Sequence, residues 1–147
     1  MIFRLSSYPA PEPLPHVAHP LGLHEGSRFI ETRVVLVDDM PTLVCIPRGT
    51  SLSLAALSNN LKAIVVDGSA ADLPPPFTKA SAPVPPLGKL FGVPVIVDEA
   101  VLAYAVIAFS TFSELDIVEV PYDDFSRLEQ PRAEKVAFGG ELPPNAP

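Results

Sequence analysis

The sequence predicts an α+β domain: a mixed, largely antiparallel sheet of about six strands with two or three packed helices. Three observations carry the prediction. Short β-branched runs bounded by turn residues recur along the chain, one stretch shows helical spacing, and several neighbouring strands are joined by short turns rather than by a regular strand–helix alternation. Phe29 to Val37 is the first strand and ends at Asp38-Asp39-Met40-Pro41. Thr42 to Ile46 is the second and ends at Pro47-Arg48-Gly49, so the two form a hairpin. In Ser53 to Leu61, Leu54, Leu57 and Leu61 fall at i, i+3 and i+7 behind a serine cap at Ser51 or Ser53, the pattern of a helix packed on a sheet. Ala63 to Val66, Val93 to Val97, Val106 to Phe109 and Ile117 to Val120 read as four more strands. Asp98 to Leu102 is long enough for one helical turn, with Asp98 placed to cap the amides that follow it. Asp123 to Glu129, after Pro121, is a short helix. Alternation and β-branching put Val34, Leu36, Val44, Ile46, Val65, Val95, Val97, Ile107 and Phe109 in the core.

A length of 147 residues fits one domain, and 48% hydrophobic against 18% charged residues is too apolar for intrinsic disorder. Apolar runs such as Leu43 to Ile46 fall far short of the roughly 20 residues a membrane-spanning helix needs. Four prolines interrupt Met1 to Pro15, so no secretory signal is read there, and a cytoplasmic location is expected. A single cysteine, Cys45, excludes an intrachain disulfide and gives little support for a metal site.

The net charge of −7 is unevenly placed. Residues 1–97 hold seven acidic and seven basic side chains, residues 98–147 ten acidic and three basic. That balance argues against DNA or a broad nucleic-acid footprint, so any RNA contact is local. The nineteen prolines, about 13% against a norm near 5%, divide the chain. Residues 1–20 read as a proline-rich arm, 21–138 as the folded domain and 139–147 as a tail or linker start. Residues 72–89 read as a long, constrained loop, a feature that is often functional.

There is no phosphate loop, no nucleophile elbow, no dinucleotide fingerprint and no paired histidines at metal spacing. His16, His19 and His24 lie in the irregular arm at spacings that match no rigid face, so a solvated arm is the better reading, and no cofactor is expected. Asp38-Asp39 reads as a turn pair and Asp123-Asp124 as a helix start.

From residue 81 the text becomes more specific. Ser81-Ala82-Pro83-Val84-Pro85-Pro86-Leu87-Gly88, then Val93 to Leu102, then Ile107-Ala108-Phe109-Ser110-Thr111, then Leu115-Asp116-Ile117, resembles in order and spacing the YbaK family of aminoacyl-tRNA editing domains. Upstream, Leu21-Gly22-Leu23, Phe29 to Asp39, Leu43 to Pro47 and Leu52 to Ala63 continue the match, so the resemblance covers about residues 21–130. It implies a YbaK-like, partly barrel-like sheet. It also implies hydrolysis of an aminoacyl ester at the 3′ end of a mischarged tRNA, notably Cys or Ala on the proline tRNA. The partner would be the aminoacyl-tRNA acceptor end or a small aminoacyl group, with no membrane and no DNA.

Carried onto this chain, the resemblance makes Glu31, at the position of the family's lysine, and Thr111 the catalytic candidates. Arg33, Ala82, Pro86, Gly88, Lys89, Asp98 and Ser110 are the substrate-binding candidates, around a pocket bounded by Glu31, Pro86 and Asp98. Three departures bear on activity. Glu31 reverses the charge of the lysine, Ala82 and Pro83 replace glycines of the loop, and Phe112 replaces a glycine after Ser110-Thr111. A proline in such a loop removes an amide donor, and a carboxylate repels the anionic end of tRNA. Two functions are therefore expected to compete: a weakened deacylase in which Lys89, Lys79 or Arg33 supplies the missing cation, and a catalytically silent binding or regulatory module. The plain alternative for Arg33 is a salt bridge with Glu31, two residues away on the same side of the strand. The acidic second part suits a protein or small-molecule partner of the silent module.

Overall fold

Short strands dominate the structure, a computed structural model that describes residues 4–5, 27–74, 83–111 and 116–139. In chain order they are β1 (Arg4–Leu5), β2 (Ser27–Val37), β3 (Met40–Pro47), β4 (Ser51–Leu52), β5 (Val65–Asp67), β6 (Val95–Asp98), β7 (Val106–Ser110), β8 (Ile117–Pro121), β9 (Arg132–Glu134) and β10 (Ala137–Phe138). Two α-helices, α1 (Leu54–Leu61) and α2 (Tyr122–Glu129), and 3₁₀ turns at Ala70–Asp72, Lys89–Phe91 and Glu99–Ala103 complete the described elements.

A two-residue turn sets the frame. Asp38 and Asp39 both take positive φ, 49° and 71°, the geometry whose twist matches a right-handed hairpin. It registers Val37 opposite Met40 and Ile30 opposite Pro47. The Asp38 carboxylate accepts from the Ile64 amide at 3.0 Å, which ties the turn to β5 and lets β5 pair antiparallel with the end of β2. The main sheet runs β1-β8-β7-β2-β3-β6-β9, with β5 branching from β2, and β4 pairs separately with β10. The pairs β2–β7, β3–β6 and β6–β9 are parallel and the others antiparallel, so the expected mixed, largely antiparallel α+β architecture is the one observed.

Alternation along these strands fills two cores. On one face Ile30, Val34, Leu43, Cys45, Val95, Val97, Ile107, Phe109, Val118 and Val120 meet Tyr122 and Phe125 of α2. The Phe125 ring packs 6.5 Å from Phe109 and 5.9 Å from Tyr122, centroid to centroid. On the other face Val35, Val44, Ile46, Val65 and Ile96 meet Leu57 of α1 together with Val136 and Ala137. Of the expected core residues, only Leu36 is less than buried.

Several boundaries differ from the sequence reading, for local reasons. Ala63 and Ile64 do not belong to a strand. Lys62 closes α1 in the left-handed region, and the Ala63 amide still donates to Ser58 O. Val93 and Pro94 precede β6 because the Val93 amide donates back to Gly88 O and proline has no amide to offer a ladder. Strands β1, β4, β9 and β10 were not anticipated, being two or three residues long, too short for a period to show. Within the predicted arm, Arg4–Leu5 is thus paired with β8. Lys79, Ala82, Phe112 and the three histidines lie outside the described residues.

Candidate functional site

Counting outward from the Asp38-Asp39 turn places Arg48 across from Phe29 and Ile46 across from Glu31. The Arg48 amide donates to Phe29 O at 3.0 Å, and the guanidinium carbon Cζ stands over the Phe29 ring, 3.8 Å from its centroid. Glu31 sits between two guanidiniums, with Oε1 3.4 Å from Arg33 Nη2 and Oε2 3.9 Å from Arg48 Nε. Both arginine side chains are about half exposed, which holds each pair to a weak interaction. One carboxylate against two guanidiniums leaves the patch with net positive charge in an acidic chain. Ser110 joins this face: Phe29 pairs with Ala108, and two residues further along each strand stand Glu31 and Ser110.

Asp98 lies on the same face two strands away, two residues beyond Ile96 of the α1-side core. It is 3% exposed, and its carboxylate is fully engaged. Oδ2 accepts from the Ala100 amide at 2.9 Å, and Oδ1 accepts from the amides of Val136 and Ala137, each at 2.8 Å. The first contact is the helix-turn cap that the end of an apolar strand implies. The other two bind the segment of Val136 and Ala137, at the start of β10, to β6. Beside Asp98 opens a cleft of about 520 Å³, lined also by Thr50, Glu99, Lys135 and Phe138.

The proline loop belongs to the opposite face. Val84 and Leu87 pack against the α2-side core, and Pro85, Pro86 and Gly88 are buried. Only glycine fits at 88, since a Cβ there would stand 2.3 Å from Val93 O. The Lys89 amide donates to Glu129 Oε1 at 2.9 Å, and the Gly88 amide also donates to the Glu129 carboxylate. Glu129 is 6% exposed, and burial raises its pKa above the usual carboxylate value, against the lowering effect of the two amides and Lys89. Lys89 Nζ is held by Gln130 Oε1 at 2.6 Å, so this cation is directed to the end of α2 rather than to Glu31.

The single pocket bounded by Glu31, Pro86 and Asp98 is therefore not what the described residues form. The period-two alternation of a strand puts Glu31, Arg33, Ser110 and Asp98 on one face, and the loop of Pro86, Gly88 and Lys89 packs on the other. Thr111 follows β7, its amide donating to Asp116 O at 2.9 Å, a turn-closing role. Cys45, hydrogen-bonded with Thr32 and near Glu129, is fully buried, and that burial pushes its thiol pKa far up, so it is an inert core residue. Among the described residues no three His, Cys, Asp or Glu side chains converge to hold a metal ion, and no helix is long and apolar enough to cross a membrane.

Sequence reasoning missed Arg48 and Glu129. The first was legible, because the turn register alone puts it beside Phe29 and Glu31. The second had no signal: Glu129 is 40 residues from Lys89, and only packing of α2 brings them together.

No family model and no curated protein matches the chain. Its fold is nonetheless that of a known class, the YbaK-like mixed sheet, as solved structures show. A protein proposed to be a trans-editing enzyme for prolyl-tRNA synthetase matches 93% of this chain and 87% of its own length, with TM-score 0.71 and 16% identity. The hypothetical protein APE2540 matches 94% of this chain and 93% of its own, with TM-score 0.69 and 18% identity. A proposed signal transduction protein from Marinobacter aquaeolei VT8 matches 93% of this chain with TM-score 0.69 and 16% identity, but this chain spans only 28% of that protein's length. At such identities the likeness shows the fold alone.

Proposed function

We propose that this chain is an aminoacyl-tRNA editing-type domain that binds the aminoacylated 3′ end of tRNA and hydrolyses its ester slowly. The observation that supports it best is the Glu31 patch. At the position where the resemblance expects a lysine, a carboxylate stands between Arg33 and Arg48, so positive charge is retained but displaced onto neighbouring strand positions. Guanidiniums suit phosphate and ester oxygens through their paired donors. The Arg48 guanidinium over the Phe29 ring adds a planar cation of the kind on which an unstacked base stacks. What is missing is an ammonium aimed at one point, and loss of one such positioned group typically lowers a rate by about 10² to 10³.

Purified protein is expected to deacylate Cys- or Ala-charged proline tRNA slowly, with Glu31→Lys raising the rate at least tenfold. Arg33→Ala and Arg48→Ala should each lower it. The reading fails if neither the unaltered protein nor Glu31→Lys hydrolyses the ester or binds the charged tRNA.

That outcome would favour the second reading, a catalytically silent binding or regulatory module. One observation specifically supports it: the loop amides of Gly88 and Lys89 are already occupied by Glu129. Its partner would be a protein or a small molecule rather than tRNA.

A further inference from the structure

Strand β5 is paired on one side and open on the other. Two ladder contacts fix its parity: the Asp38 amide donates to Ile64 O at 2.8 Å, and the Gly68 amide donates to Val34 O at 2.9 Å. Ile64, Val66 and Gly68 therefore turn their backbone groups inward to β2, where Val66 stands opposite Leu36. The intervening residues, Val65 and Asp67, each direct an N–H and a C=O outward. Among the described residues β5 pairs with β2 alone, so these groups face an open edge. On the α2-side face of the same edge, Ile64 is 73% and Val66 46% exposed. Neither proline nor lysine, the usual guards of such an edge, falls between Ile64 and Asp67.

This edge is complementary to itself. In an antiparallel pairing about a two-fold axis at Val66, the N–H and C=O of Val65 meet the C=O and N–H of Asp67 in a second copy, and the symmetric pair uses every remaining outward group. A pairing centred on Val65 would instead set Asp67 against Ala63, whose amide already donates to Ser58 O and whose carbonyl already accepts from the Ser58 hydroxyl. At the axis Val66 meets Val66 of the second copy as a non-hydrogen-bonded pair, the closer of the two kinds. Ile64 lies across from Gly68, which has no side chain to obstruct it. Charge favours the same direction. Lys62 precedes β5, whereas Asp67 ends it and Asp72 follows, so antiparallel pairing sets the basic end of each copy toward the acidic end of the other. The Asp38 carboxylate, on the β2 side of Ile64, is turned to the Ile64 amide. We propose that β5 is a self-association edge through which two copies of this chain join their sheets antiparallel about Val66. The inference is independent of the editing reading. It leaves the Glu31 patch outside the contact, because β5 pairs with Val35 to Val37, at the other end of β2 from Phe29.

Sedimentation equilibrium from about 10 μM to about 1 mM should show a monomer–dimer equilibrium, since an edge of three residues makes a small interface of the weak class. Val66→Lys sets two like charges against each other at the axis. It should raise the dissociation constant about 10-fold or more while the dilute protein stays folded by circular dichroism. A chain that is monomeric throughout this range overturns the proposal, as does a dimer indifferent to Val66→Lys. The register is read separately by crosslinking with glutathione disulfide, in which two protein thiols are oxidised to one disulfide while the glutathione disulfide is reduced to two thiols that carry off the protons. Val66→Cys should crosslink, because Cα atoms of a non-hydrogen-bonded pair stand about 4.5 Å apart, within disulfide reach. Ile64→Cys, facing Gly68 of the other copy, should not. Failure of Val66→Cys to crosslink, or equal crosslinking of Ile64→Cys, overturns the register and the proposal with it.

Discussion

At the residue scale, two positions illustrate how local chemistry sets what a site in the chain tolerates. Asp98 is buried without a charged partner and satisfied by three backbone amides, a form of charge burial that hydrogen bonding makes stable. Removing it strands the buried amides of Val136 and Ala137, each worth about 1–3 kcal/mol, so Asp98→Ala should lose about 2–6 kcal/mol in urea denaturation. Such a loss, with β9 and β10 releasing first in hydrogen exchange, is what a structural role predicts; an unaltered midpoint would refute it. Gly88 is constrained by space rather than by dihedral angle, as its φ of −87° is open to any residue. The Cβ of Gly88→Ala would collide with backbone at Val93, not with a flexible side chain. Overpacking of this kind costs about 1–3 kcal/mol, measurable as a lowered denaturation midpoint.

At the element scale, the hairpin and α1 depend on their ends. Asp39 holds φ 71° without being glycine, a strained choice for an L-residue at a two-residue hairpin loop. Asp39→Gly should therefore stabilise the protein by about 0.5–1 kcal/mol, whereas the same change at Asp38 also deletes the acceptor for the Ile64 amide and should destabilise. Thermal melts of the two variants, shifting in opposite directions, would check this. Helix α1 is capped at Ser53, whose hydroxyl accepts from the Ala56 amide at 3.0 Å. Loss of that cap in Ser53→Ala should cost about 1 kcal/mol.

At the scale of the whole molecule, Glu129 makes stability depend on pH in an unusual direction for a carboxylate. Its pKa is raised in the folded state above the unfolded value of 4.5, so the folded form holds its proton where the unfolded form has lost it. The resulting stabilisation is complete below pH 4.5 and is lost as pH rises through the folded pKa. Glu129→Gln should flatten the denaturation midpoint in the window just above pH 4.5 while leaving it unchanged well below, and an identical profile in both proteins would contradict the assignment. The same residue links α2 to the loop, so this titration belongs to the assembled fold rather than to either element.

What the sequence determined by itself is the local grammar. β-branched runs, the Asp38-Asp39 turn, the Ser53 cap and the Pro121 stop each act within a few residues, and strands β2, β3, β5, β6, β7 and β8 and both helices follow from them. The Glu31–Arg33 pairing was likewise legible from a spacing of two. Ordered motifs in residues 81–117 pointed to the YbaK-like sheet, which the solved neighbours share at 16–18% identity. Only the tertiary structure decided which face each candidate occupies and what it touches. Parity along β2 and β6 separates Glu31 and Asp98 from the loop of Pro86 and Gly88, and the packing of α2 delivers Glu129 to amides 40 residues away. Contacts at such separation carry no periodic or compositional signal, because the chain pays their closure entropy only once the intervening sheet has formed.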